Sequence, residues 1–334
     1  MLSMKKILLL ILLPLMVLCV VSCEEEFEIN APYQDITVVY GLIDQGDDSI
    51  FIKINKAFLG EGDVMEMAKI EDSSQYVTGL QAVIEEWSNG NLVRSYSLDT
   101  ITLSNKESGT FYNPYQIVYY TPYEPEQDRL YRMKINIGEK EVTASTNLVN
   151  DFSITKPSAG SKFIQFKPDT EGEVEWNSAA YGRRYEVIMR FKYKEVLFDD
   201  PDTVYTYIDW GLGIKKSKDT DGGEEMKIGY NNSSFYTIIK DRIPYDDPGA
   251  EANVKERYTN DLDVIISVAA EELNTYMEVN EPSNSIVQDK PEYTNITNGI
   301  GIFSSRFKNF RTKKIGLETV QDIKELAPEL KFVF

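Results

Sequence analysis

Apolar and polar residues alternate with a period of two along much of the chain, the signature of half-buried strands. Ile50, Ile52 and Ile54 alternate with Phe51, Lys53 and Asn55. Just before them, residues 36–43 are rich in β-branched side chains, and residues 44–48 carry the Asp and Gly of a turn. Residues 82–87 and 92–98 flank Asn89-Gly90. Asn-Gly accepts the positive φ angles of a tight hairpin turn, so these two runs are read as paired strands. Further strands are expected at 116–120, 131–137 and 141–144, with Gly138-Glu139 turning the chain between the last two. The stretch from 60 to 75 is polar and irregular. Residues 35–150 therefore read as a first β-sandwich.

Asn, Pro and Gly cluster at 150–161, where a boundary is expected, and the pattern then restarts over 151–308. Val174 and Trp176 alternate with charged neighbours. Tyr185, Val187, Met189, Phe191 and Tyr193 share one strand face, and Glu186, Arg190, Lys192 and Lys194 share the other. Strands are also expected at 204–210, 235–240 and 262–268. Residues 269–279 have helical spacing, with Leu273, Tyr276 and Met277 on one face. Residues 309–334 read as a C-terminal tail with an amphipathic stretch at 319–326 and an apolar end, Phe332-Val333-Phe334. The fold class expected is mainly β, as two tandem sandwich units with one short helix.

The N-terminus changes the picture from fold to location. Lys5 and Lys6 precede an apolar run from Ile7 to Val21. That run is short for a bilayer span, which takes about 20 apolar residues, and Pro14 interrupts it. Residues 1–22 read as a signal peptide. The run ends Val20-Val21-Ser22-Cys23, which resembles a lipobox: a small residue before the cut, and a thiol after it to accept the lipid. Residues 23–34 then form a lipidated acidic tether opening on Glu24, Glu25 and Glu26. That acidic run resembles the export signal that sends Bacteroidota lipoproteins to the outer face of the outer membrane. With Cys23 acylated and Cys19 in the signal, no thiol remains for a disulfide, a metal or nucleophilic catalysis.

Composition narrows the chemistry. The chain has 54 acidic and 35 basic residues, a net charge of −19, and no histidine. Such a field repels phosphates, which argues against nucleic acid as a partner. Without histidine there is no Ser-His-Asp triad and no imidazole-held zinc. No cofactor and no enzymatic activity are expected. Asp219 and Asp221, before Gly222-Gly223, resemble half of a calcium loop, although an exposed acidic hairpin is the plainer reading. Ser49, Thr100 and Thr203 sit in Asp-Ser/Thr-Ile/Val triplets that resemble a short O-glycosylation signal. Trp87, Trp176 and Trp210 each sit in a strand pattern and read as core. Gly299 and Gly301 lack the Lys of a phosphate loop and read as glycines closing a strand pair.

The Pro-bearing entry, the strand with Trp176 and the Tyr-x-Val strand resemble the opening of a fibronectin type III module. More broadly, Val39–Ile43, Val174–Tyr193, Glu271–Met277 and the closing Asn295–Phe303 (Asn-Ile-x-x-Gly-x-Gly-Ile-Phe) are similar to a family of Bacteroidota lipoproteins with a domain of unknown function. Members are often encoded beside TonB-dependent receptors. The resemblance implies an accessory or binding role beside an outer-membrane β-barrel partner, on the cell surface. A glycan-binding adhesin or nutrient-capture protein, or one taking a peptide ligand, is the second expectation. A carboxylate-based hydrolase is the third.

Overall fold

The structure, a computed structural model, describes residues 34–59, 64–104, 106–198, 203–244, 254–281 and 292–334. The expected signal peptide, Cys23, Glu24, Glu25 and Glu26 lie outside the described residues.

The fold is mainly β. Its first half holds β1 (Gln34–Asp44), β2 (Ser49–Leu59), two single helical turns, α1 (Val64–Met67) and α2 (Glu71–Ser74), then β3 (Leu80–Ser88), β4 (Asn91–Ser97), β5 (Asp99–Leu103), β6 (Gln116–Pro122), β7 (Leu130–Ile137) and β8 (Lys140–Asn147). Asn89 and Gly90 turn β3 into β4 with φ of 49° and 77°, as the hairpin signal requires. The second half holds β9 (Ile154–Lys156), β10 (Phe163–Ile164), β11 (Glu171–Asn177), β12 (Arg184–Leu197), β13 (Thr203–Lys216), β14 (Glu225–Asn231), α3 (Asn232–Arg242), β15 (Val254–Ala269), α4 (Glu271–Asn280), β16 (Ile300–Ile315), α5 (Leu317–Leu326) and β17 (Phe332–Val333).

One long sheet runs through both halves in the order β13-β12-β15-β16-β1-β2-β6-β5, with β10 added along β16 and β17 along β15. Two smaller sheets, β4-β3-β7-β8 and β14-β11-β9, complete the set. Two cores form. One gathers Val39, Ile52 and Ile54 of the long sheet with Ile84, Met133 and Ile135 of the four-stranded sheet. The other gathers Val187, Met189, Val264 and Ile266 with Val174, Trp176 and Ile228 of the three-stranded sheet. The face of β12 that was expected to be apolar, Tyr185 through Tyr193, is buried at every second residue.

The two sandwiches are joined by a shared strand. The start of β16 pairs in parallel with β1, from Val38↔Ile300 to Asp44↔Arg306. Its later part pairs antiparallel with β15, from Ala269↔Arg306 to Asp261↔Lys314. Phe303 of β16 and Ile296 just before it are buried in the first core. Two of the stretches that carry the family resemblance, residues 39–43 and 295–303, therefore meet in the sheet, Val39, Tyr40 and Gly41 pairing with Gly301, Ile302 and Phe303. Their glycines have a steric reason. A Cβ on Gly301, which has φ +112°, would lie 2.0 Å from the Val39 carbonyl oxygen. A Cβ on Gly41 would press on the Phe303 ring at 3.0 Å. Asn295 acts as a one-residue strand partner: its Nδ2 donates to the Phe303 carbonyl at 2.6 Å, and its Oδ1 accepts from the Phe303 N–H at 3.0 Å. The glycines do close a strand pair.

Three expectations are corrected. Residues 235–240 are not a strand but lie within α3. The Asn231 side chain caps that helix by accepting from Ser233 N–H at 2.8 Å, and Phe235, Tyr236 and Ile239 share the buried face. Helical content is also larger than one short element: besides α4 at the expected place, α3 and α5 each complete several turns. Finally, residues 309–334 are not a tail. β16 runs unbroken across position 308, and Val320, Ile323, Leu330 and Phe332 are buried in the second core.

Candidate functional site

A broad cavity opens on the outer face of the long sheet, beside the β1–β16 seam. It measures about 720 Å³, within the usual range for a ligand site. Its floor is the outward side of β15 and β16, with Ser267, Lys308 and Phe310. Leu273 and Met277 of α4 form one wall, and Asp44, Gly46 and Asp47 of the β1–β2 turn form another. Arg184, Glu186 and Ile214 complete the rim.

The site owes its shape to α4. The helix lies over the buried start of β16, tied down by Ala270 N–H donating to the Ser305 carbonyl at 3.0 Å. The ring of Tyr276 meets Tyr40 edge-on at 6.5 Å. Glu272 reaches inward, where its Oε2 accepts from Thr146 Oγ1 and Ser304 Oγ, each at 3.3 Å. Burial is the chief cause that raises the Glu272 pKa above 4.5, and the neighbouring Glu271 charge adds to it. The two hydroxyl donors and its own backbone N–H oppose the shift.

The cavity is apolar in its middle and charged at its rim. Ile214, Met277 and Phe310 are 46%, 40% and 59% exposed, a large apolar outlay for a solvent face. Arg306 Nε lies 3.4 Å from Asp44 Oδ2, and Arg184 Nη2 donates to Glu281 Oε1 at 2.7 Å. Burial is the main cause that raises the Asp44 pKa, with Asp47 adding to it. The Gly46 N–H, Arg306 and Lys308 pull the other way. This arrangement suits an amphipathic ligand with both signs of charge. No signal along the chain pointed to it, because its walls come from residues 44 to 310.

The residues singled out from sequence lie elsewhere. Asp219 and Asp221 sit in the β13–β14 loop, where Asp219 Oδ1 accepts from Asp221 N–H at 3.1 Å. Gly222 (φ +86°) is pressed so close that a Cβ would lie 2.7 Å from Ala180 N. Among the described residues, no three His, Cys, Asp or Glu side chains are grouped to hold a metal ion. Ser49 Oγ donates to Asp48 Oδ1 at 3.1 Å at the start of β2, Thr100 is exposed on β5, and Thr203 opens β13 half-buried. Trp176 is 1% exposed and packs on Tyr185. Trp210 packs on Phe166 and Tyr230, while Arg132 lies over Trp87 at 4.7 Å. No ring contact joins two tryptophans among the described residues.

No protein-family model and no curated protein sequence matches the chain. Among solved structures, the C-terminal globular domain of an oligosaccharyltransferase from Pyrococcus abyssi aligns with 71% of this chain and 46% of its own, at 12% identity and a TM-score of 0.28. A trypsin-activated α2-macroglobulin from Escherichia coli aligns with 72% of this chain and 15% of its own, at 10% identity and a TM-score of 0.18. The C-terminal domain of a Streptococcus agalactiae AgI/II polypeptide aligns with 71% of this chain and 95% of its own, at 10% identity and a TM-score of 0.15. Likenesses this distant carry no argument about function.

Proposed function

We propose that this protein is a lipid-anchored accessory subunit of the outer membrane, displayed at the cell surface, that holds an integral β-barrel partner through the groove beside α4. The observation that carries the reading is the groove itself, with exposed Ile214, Met277 and Phe310 inside a rim of Asp44, Arg184, Glu186 and Arg306. An apolar centre with a polar rim is the anatomy of a protein contact. The lipobox ending in Cys23 supports the location, since acyl chains would keep the ectodomain at a bilayer where such a partner sits. Its role is binding rather than catalysis.

A photo-crosslinking amino acid in place of Phe310, in the full-length protein within intact outer membranes, tests this. A discrete adduct with a barrel protein is expected from position 310 and not from the equally exposed Phe111. The same adduct from both positions, or from neither, would refute the reading.

A further inference from the structure

We propose that the open outer face of β13, β12 and β15 binds a neutral saccharide, stacked on Tyr205 and Tyr207. This face lies beyond the groove and does not depend on the reading given to it. Tyr205 and Tyr207 are 71% and 54% exposed, on a strand whose inward residues Ile208 and Trp210 pack on the second core. Two residues apart on one strand face, their rings are separated by roughly 7 Å, the scale of one or two sugar rings. Tyr205 makes no hydrogen bond or ring contact among the described residues. Arg190 lies over Tyr207 at 4.1 Å, which fixes that ring while the residue stays more than half exposed.

Beside the rings runs a row of fixed polar groups. Arg190 Nε and Nη2 donate to Asp209 Oδ1 and Oδ2 at 2.7 and 2.8 Å. Lys192 Nζ lies 2.5 Å from Asp263 Oδ2, and Thr312 Oγ1 donates to Asp263 Oδ1 at 2.7 Å. Lys194 lies over Tyr258 at 4.6 Å on the same face, and Tyr258 donates to Glu256 Oε1 at 2.9 Å. Three cations (Arg190, Lys192, Lys194) thus face three carboxylates (Asp209, Asp263, Glu256), and the row is locally neutral although the chain as a whole is strongly acidic. Bidentate and paired charges hold their donors and acceptors rigidly in place.

A sugar ring has an apolar C–H face and a rim of hydroxyls that both donate and accept. The exposed phenol rings match the first, and the row of ion pairs matches the second. Other ligands fit less well. A polyanion gains nothing from a neutral row. Along the free edge of β13 an added β-strand would have to displace Arg242, whose Nη1 donates to the Asp209 carbonyl. By the period-two alternation, that carbonyl points the same way as those of Tyr205 and Tyr207.

The test is a printed array of neutral oligosaccharides with gluco, manno, galacto and xylo backbones, plus heparin and hyaluronate fragments. It is read with the full-length protein in a zwitterionic detergent. Neutral binding is expected, and it should fall at least about tenfold in Tyr207→Ala and in Tyr205→Ala, while Tyr207→Phe keeps the stacking ring and most of the affinity. Phe111→Ala, a substitution at another exposed ring, should bind as the parent does. Raising salt about tenfold should leave the signal unchanged, since no net charge is paired. The idea fails if no neutral glycan binds, if only the acidic fragments bind, or if the alanine variants, folded by circular dichroism, bind as the parent does.

Discussion

At Gly301 a single missing methyl group decides whether two strands meet. A Cβ there would sit 2.0 Å from the Val39 carbonyl oxygen, and φ of +112° is foreign to other residues. Alanine must push β16 off β1 or break their ladder. Gly301→Ala is expected to cost about 3 kcal/mol or more in urea unfolding, against almost nothing for Gly109→Ala, where the added methyl meets open space. Glu272 is a second decisive residue, through charge rather than volume. Burial holds its carboxyl pKa above 4.5, so the folded state takes up a proton more readily than the unfolded one. A raised carboxyl pKa means that stability present below the unfolded value is lost as pH rises through the folded one. Glutamine keeps an acceptor for Thr146 and Ser304 and removes that loss. Glu272→Gln should therefore melt higher than the parent at about pH 8 and together with it at about pH 4. Equal melting at both pH values would show that the ionised carboxylate is not penalised where it sits.

At the scale of elements, legibility followed the regularity of the apolar pattern. β2 and β12 alternate cleanly, and each is found where the alternation put it, while β3 was marked by the Asn89-Gly90 turn that follows it. The boundary expected at 308 falls inside β16, because the strand's inward residues stop being apolar there. Asn309, Arg311 and Lys313 point toward the β9–β10 segment, where they donate to the carbonyls of Phe152, Pro157 and Ser158. A strand that fills its buried face with hydrogen-bond donors hides from a hydrophobic count. α3 was mistaken for a strand because Phe235, Tyr236, Ile238 and Ile239 form a dense apolar run. The signals that could have found it were Asn231 before the run as a cap, and Lys240 and Arg242 at its end. β14 was overlooked beside the acidic loop, although Met226 and Ile228 alternate and are buried. The groove was not legible at all, since the turn, helix and strands that wall it meet only in three dimensions.

For the whole molecule, the consequence of the shared strand is cooperativity. A first unit cut at residue 150 would carry β1 with no parallel partner, and its core would lack Ile296 and Phe303. Burying two such side chains contributes about 5 kcal/mol, comparable with the entire stability of a small domain. The backbone ladder from Val38↔Ile300 to Asp44↔Arg306 would be lost as well, leaving one side of β1 as an open edge. Residues 24–150 expressed alone should therefore fail to reach a native-like state, with poorly dispersed amide resonances and no sharp urea transition. Adding a synthetic peptide of residues 292–308 should restore both, because it returns the clasp of Asn295, the buried Ile296 and Phe303, and the missing strand. The intact chain should unfold in one transition, with the tryptophan signal coincident with the backbone signal: Trp87 reports on the first sandwich and Trp176 on the second. A fragment that folds unaided, or a full chain that melts in two separated steps, would mean that β16 decorates two independent sandwiches instead of building both.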